Sequence, residues 1–221
     1  MLALRKTGPA PGLTLQHIPE PTPCGPDEVL VQVHAAGICG SDLHIADWHD
    51  STFAWLAERL PVTMGHEFAG TVTAVGAEVG NLRPGDRVTV QPTLCCGRCA
   101  ACQAGDAERC SAVGFLGVTR EGAFCCQAKV PAANCYTLAP HVDLALAALA
   151  EPLAVAHNAL RTGQVPPGHG AGVGARHHRP GYRRASHACR SRHRHRRGPE
   201  RHRTLAPMPG AGPGKPCRSG P

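Results

Sequence analysis

The stretch "CCGRCAACQAGDAERC" places Cys96, Cys99, Cys102 and Cys110 with two, two and seven residues between them. Two-residue gaps let neighbouring thiolates converge on one ion, and the longer gap lets the chain loop back with the fourth. Four thiolates around tetrahedral zinc leave no open coordination position, so this centre is expected to be structural. The alternatives for such cysteines are a redox pair or free thiols. Cys95 stands beside the set as a spare, and Cys125 and Cys126 fall in an apparent strand, where packing is the expected role.

A second group is dispersed. "GICGSDLH" supplies Cys39, Ser41, Asp42 and His44; "GHEFAGTVTAVG" supplies His66 and Glu67; "LAEPLAVAHNAL" supplies Glu151. A Cys, a His and a carboxylate from separate segments make a mixed zinc shell, and three protein ligands leave a fourth position for water or substrate. Spacing alone leaves the bland readings standing: a core histidine at His66, a capping carboxylate at Glu151, a solvated helix face at His44.

Such a shell needs elements to hold it. "LTLQHIPEP", "DEVLVQVHAAGI", "EFAGTVTAVG", "DRVTVQP", "GAFCCQAKVP" and "NCYTLAP" read as short strands, several alternating with period two and separated by Pro, Gly and Asp turns. "CGSDLHIADWHDSTFAWLAERL" has a helical rhythm, with Ser41 or Asp42 as its first cap. "VDLALAALAEPLAVAHNALRTG" reads as helix broken around Pro152 and closed by Gly163. The fold class is mainly β with short helices, a small barrel or sandwich carrying a zinc-stapled lobe. Trp48, Phe53 and Trp55 either line a pocket or belong to the core.

The 221 residues divide by charge. Residues 1–167 hold 10 Lys and Arg against 15 Asp and Glu, whereas residues 168–221 hold 13 against Glu200 alone. The later stretch has four large apolar residues, Val173, Tyr182, Leu205 and Met208. Ordering a backbone costs about 1–2 kcal/mol per residue, which so few apolar groups cannot offset; composition marks 168–221 as a disordered basic tail. Its cations would bind phosphates nonspecifically, but one tyrosine and no docking motif exclude specific nucleic-acid recognition. No window is long and apolar enough for a membrane span. The opening residues lack the apolar run of a secretory signal, so a cytoplasmic location is expected.

The motifs together resemble the zinc-containing medium-chain dehydrogenases. "GHEFAGTVTAVGAEV" fits that family's signature through Gly65, His66, Glu67, Gly70, Gly76 and Val79, and "GICGSDLH", "RPGDRV" and the four-cysteine lobe follow in its order. "AEPLAVAHNA" is similar to the branch of sorbitol, threonine and butanediol dehydrogenases. The resemblance, over about residues 1–165, implies a GroES-like β-barrel in residues 1–150 carrying a catalytic and a structural zinc. Residues 151–167 would be a helical connector toward a nucleotide domain. Cys39 and His66 would bind the catalytic ion, with Glu67 and Glu151 completing or exchanging in its shell. The ion would lower the pKa of an alcohol or polyol, and the alkoxide would pass hydride to NAD or NADP. Ser41 would take the hydroxyl proton and hand it to His44, while Asp42 would support the shell or cap the helix. Family members are usually dimers or tetramers.

A nucleotide domain should then open with a strand, a glycine turn and a helix aimed at the pyrophosphate. Gly170–Gly174 has the glycines alone, which is weak without its flanking elements. The codons compatible with "HHRPGYR", regrouped by one base, spell "GTIGLAT", a plausible turn and helix start. Residues 168–221 are therefore read as frameshifted, and hydride transfer by the chain as written is expected to be impaired. The competing reading is a non-enzymatic zinc-binding fragment without a cofactor site.

Overall fold

The computed structural model describes residues 1–21, 25–48 and 51–164. The basic stretch 168–221, its glycine run and the frameshift reading lie outside the described residues. Ten strands, four α-helices and three 3-10 segments make up the regular structure of the described part.

The frame is a five-stranded antiparallel sheet. Its central strands are β3 (Glu28–Gly37) and β5 (Glu67–Val75). Flanking them are β6 (Arg87–Val90), β9 (Gln127–Pro131) and β10 (Cys135–Thr137), in the order β10-β6-β5-β3-β9. β3 explains itself: Val29 and Val31 alternate inward and are fully buried, the pattern of a strand with one face on a core. They meet Phe68, Val72, Val88, Val90 and Val130 in one apolar cluster. Gly70 is required where β5 crosses β3, since a Cβ there would lie 2.0 Å from the Gln32 carbonyl oxygen.

A smaller sheet joins β1 (Leu2–Lys6) to β2 (Thr14–His17) and to β4 (Val62–Thr63). Above it sit α1 (Gly40–Asp47) and a 3-10 stretch, Ser51–Arg59, around a second cluster of Ile45, Leu56, Val62, Met64 and Val118. The helical rhythm expected over residues 39–60 is thus two elements. The first residue of that helix is preceded by Cys39 rather than by Ser41 or Asp42; Asp42 lies inside, where its Oδ2 accepts from the Cys39 amide at 2.9 Å. Trp48 and Phe53 pack against the second cluster, and Trp55 is exposed with Arg59 over its ring.

Two antiparallel strands, β7 (Thr93–Leu94) and β8 (Gly114–Phe115), frame the cysteine lobe, which contains the short helix α2 (Ala100–Gln103). Farther on come α3 (Leu144–Ala147) and α4 (Ala150–Thr162). Asp143 Oδ1 caps α3 by accepting from the amides of Ala145 and Leu146. Ala69, Ala147 and Ala148 form a contact of small side chains that brings α3 onto the sheet, and Thr89 Oγ1 donates to the Ala147 carbonyl at 3.1 Å. The break expected at Pro152 falls earlier, between Ala147 and Ala150: Pro152 lies in the first turn of α4, where a missing amide proton costs nothing. Gly163 closes α4 as expected. Cys125 and Cys126 precede β9 rather than lying within it, and Cys126 is disulfide-bonded instead of being a packing thiol.

Phe68 is 1% exposed at the centre of the larger cluster. Phe68→Ala should destabilise the fold by about 3–5 kcal/mol, read as a lower urea midpoint with an unchanged denaturant slope.

Candidate metal centres and active site

The lobe brings its four thiols together. The Sγ atoms of Cys96, Cys99, Cys102 and Cys110 all lie within 4.8 Å of one another. Backbone amides point at them: those of Cys96 and Ala112 donate to Cys110 Sγ at 3.3 and 3.4 Å. Amides of Cys102 and Ser111 pull the Cys99 thiol down to about 5, while burial and then the Cys99 sulfur push Cys102 up to about 12, as expected of thiols crowded together. Several N–H donors converging on sulfur stabilise thiolate, the form that ligates metal. The donor set is all sulfur and closed, so it fits a tetrahedral zinc with no place for substrate. Cys95 stays outside, exposed, its Sγ donating to the Ala107 carbonyl at 3.4 Å.

The second group forms where β3 and β5 run antiparallel with Gly37 opposite Glu67. Two residues beyond Gly37, Cys39 starts α1; one residue before Glu67, His66 leaves the β4 connection. Ligand atoms of Cys39, His66 and Glu67 lie within 4.8 Å of one another. Glycine leaves room at both approaches. A Cβ on Gly37 would lie 2.2 Å from Glu67 Oε2, and Gly65, at φ +91°, would meet the Phe124 ring at 2.3 Å.

His66 and Glu67 are 2% and 6% exposed, and Asp42 is 2% exposed. Burying an acid beside an imidazole is costly unless the two serve each other or an ion. His66 Nδ1 and Asp42 Oδ1 face each other at 3.6 Å, ion-pair range but too long for a hydrogen bond, and both are otherwise unpartnered. This is the arrangement of a metal-binding histidine whose second ring nitrogen faces a carboxylate. Burial pulls the imidazole pKa down, but Asp42 and then Cys39 outweigh it and raise it to about 9. The residues therefore fit a cation held by Cys39, His66 and Glu67.

Glu151, half-buried on α4, is not in the three-ligand group. It stands within electrostatic reach: burial raises its carboxyl pKa, His66 opposes that rise, and Glu67 and Asp42 add to it. Ser41 is half-buried and His44 exposed on α1, three residues apart and hence on one helix face. One contact has no signal in the sequence. The Phe115 ring meets His66 edge-on with centroids 5.2 Å apart. Its backbone is fixed by Thr119, whose Oγ1 accepts from the Phe115 amide at 2.7 Å.

This architecture is a known one. The family model of the alcohol dehydrogenase GroES-like domain matches residues 25–140, and the chain belongs to that family. L-threonine 3-dehydrogenase of Streptomyces avermitilis is 45% identical over 161 residues, covering 72% of this chain and 46% of that protein. The Saccharopolyspora erythraea enzyme of the same name is 44% identical over 163 residues, again 72% and 46%. Among solved structures, galactitol-1-phosphate dehydrogenase from Escherichia coli superposes with a TM-score of 0.66 at 30% identity, over 74% of this chain and 45% of that one. For 2R,3R-butanediol dehydrogenase from Bacillus subtilis the values are 0.62, 34%, 73% and 47%. The chain spans just under half the length of these relatives. They are dehydrogenases, and the family is enzymatic; other similar structures are zinc-binding dehydrogenases, one bound to NADP. No helix among the described residues is long and apolar enough to cross a membrane.

Two outcomes are expected. Cys99→Ser should remove one bound zinc and loosen the lobe, seen as loss of one metal equivalent and faster proteolysis between residues 95 and 113. In the metal-free chain, protonated His66 stabilises the fold fully below its ordinary pKa of 6.5, and that contribution is lost as pH rises through about 9. Urea midpoints should therefore fall between those values, and Asp42→Asn should flatten the fall.

Proposed function

We propose that residues 1–150 are the zinc-binding catalytic domain of an alcohol or polyol dehydrogenase and that residues 151–167 connect it to a nucleotide domain. The observation that carries this is the buried Cys39–His66–Glu67 group, in a chain whose relatives oxidise alcohols or polyols by name. A zinc ion held there would supply a Lewis acid that makes a hydroxyl proton easier to remove.

The chain's own residues do the rest. Cys39 and His66 hold the ion, with Glu67 beside them, and Glu151 on α4 is the carboxylate that completes or replaces Glu67 in the shell. Asp42 keeps the His66 ring in one orientation. Ser41 accepts the substrate hydroxyl proton, and His44, exposed on the same face of α1, delivers it to solvent. Phe115 walls the site beside His66 and limits water there. The four-cysteine centre binds a second zinc and takes no part in chemistry.

NAD or NADP would supply the hydride acceptor, and holding it needs a nucleotide domain. The composition of residues 168–221 does not encode one in this frame, and we read it as out of frame. The chain as written then binds two zinc ions without turning over; in the corrected frame it is an ordinary zinc dehydrogenase acting on a small alcohol or polyol.

Sequencing the DNA across codons 160–210, with the intact protein mass, tests this. A single-base shift that continues into a strand–glycine–helix unit supports it. Stoichiometric NAD or NADP turnover with an alcohol by the 221-residue chain overturns the frame argument. Two zincs without NADH binding are expected for that chain and would identify a zinc-binding fragment if the DNA reads as printed.

A further inference from the structure

Lysine is almost never fully buried unless paired, yet Lys6, the last residue of β1, is 0% exposed. Its ammonium carries three donors, and all three are used. Nζ donates to the carbonyls of Ala10 at 2.5 Å, Gly12 at 3.2 Å and Ala46 at 3.1 Å. The Trp48 ring covers the cation at 4.8 Å.

These partners belong to separate segments. Ala10 and Gly12 lie in the loop between β1 and β2. Ala46 is in the last turn of α1, where carbonyls have no intrahelical partner and a cation is favoured. The Gly12 amide donates to the same Ala46 oxygen at 2.8 Å. One end of α1 is thus clamped, and an eight-residue helix about 12 Å long carries that constraint to Cys39 at its other end. In the same strand, Lys6 pairs with Val62 of β4, and the Met64 amide donates to the Leu4 carbonyl, two residues before His66. β1 therefore fixes the approach to His66, while its terminal side chain fixes the helix that starts at Cys39.

We propose that Lys6 is a positioning residue for the Cys39–His66–Glu67 centre, setting the two ligand-bearing segments relative to each other by binding three carbonyls as a resident cation. This rests on the metal reading of that centre. Burial lowers the Lys6 pKa, with Asp47 opposing, but with no donor left over Lys6 has no role in proton transfer. A residue of the same length without charge would fill the space, take the ammonium from the Ala10 and Gly12 carbonyls, and leave Ala46 with the Gly12 amide alone.

The test uses the full 221-residue chain, wild type and Lys6→Met, stripped of metal and titrated with cobalt(II). The four-thiolate and mixed-ligand sites give distinct charge-transfer and visible bands, so each is followed separately. In Lys6→Met the four-thiolate site should titrate as in wild type, while the mixed site should bind about tenfold or more weakly with shifted visible bands. A purely structural lysine would lower overall stability and leave the affinity ratio and mixed-site bands unchanged in folded protein; that result overturns the proposal. A wild type that never takes a second cobalt overturns the metal reading, and the Lys6 proposal with it. If Lys6→Met loses the four-thiolate bands as well, it has not folded, and Lys6→Gln replaces it. That variant keeps an N–H donor but loses the charge and part of the three-carbonyl grip, and should weaken the mixed site by roughly three- to tenfold; wild-type affinity there with the four-thiolate bands intact overturns the proposal.

Discussion

The antiparallel pairing of β3 with β5 is the constraint on which the rest depends. Opposing Gly37 to Glu67 puts Cys39 and His66 at the same end of the sheet, each just past or just before a paired residue. Side chains alternate faces along a strand, so a one-residue slip would send Glu67 to the opposite face and carry His66 away from Cys39. The buried valines of β3 resist that slip, because it would move Val29 and Val31 out of the core. Core packing and site geometry are therefore one condition. Gly37 belongs to the same condition, since a Cβ there would press on the Glu67 carboxylate across the pair.

The two cysteine-containing centres differ for reasons visible in their donors. The lobe offers four sulfurs, amide donors to stabilise thiolates, and little apolar material, so a metal held there would supply the cross-links that a core supplies elsewhere. The mixed group sits at the edge of two apolar clusters, has three different donor types, and retains a buried acid whose partner is an imidazole. One centre replaces a core, and the other uses a core.

Much of this was legible in the residues. The four-cysteine spacing is local, so sequence distance alone brings the thiols near each other. The alternating valines mark the strands in the sequence itself, whereas Glu67 and Glu151 stand there as equal candidates beside Cys39 and His66, because only the fold sets Glu151 outside the three-ligand group. The helical boundaries were less readable: the rhythm across residues 39–60 conceals the change from α to 3-10 geometry, and Pro152 looked like a break because a proline in a first turn and a proline that stops a helix have the same letter. Lys6 and Phe115 could not be seen, since their importance comes from contacts across the fold. A lysine between strand residues reads as surface, and Phe115 reaches His66 only after the whole lobe has intervened. The bonding of Cys126 is not legible for the same reason, because sequence spacing does not tell a packing thiol from a disulfide-bonded one.

The lobe departs from the sheet after Leu94 and returns at Gly114, and these two residues are paired neighbours across β7 and β8. An excursion whose ends already touch can grow, shrink or be exchanged without moving any other strand. Insertions and deletions there cost loop entropy that rises only slowly with length. The lobe can thus be lengthened, shortened or replaced by design without re-registering another strand, provided that Phe115 still arrives at His66 when the chain comes back.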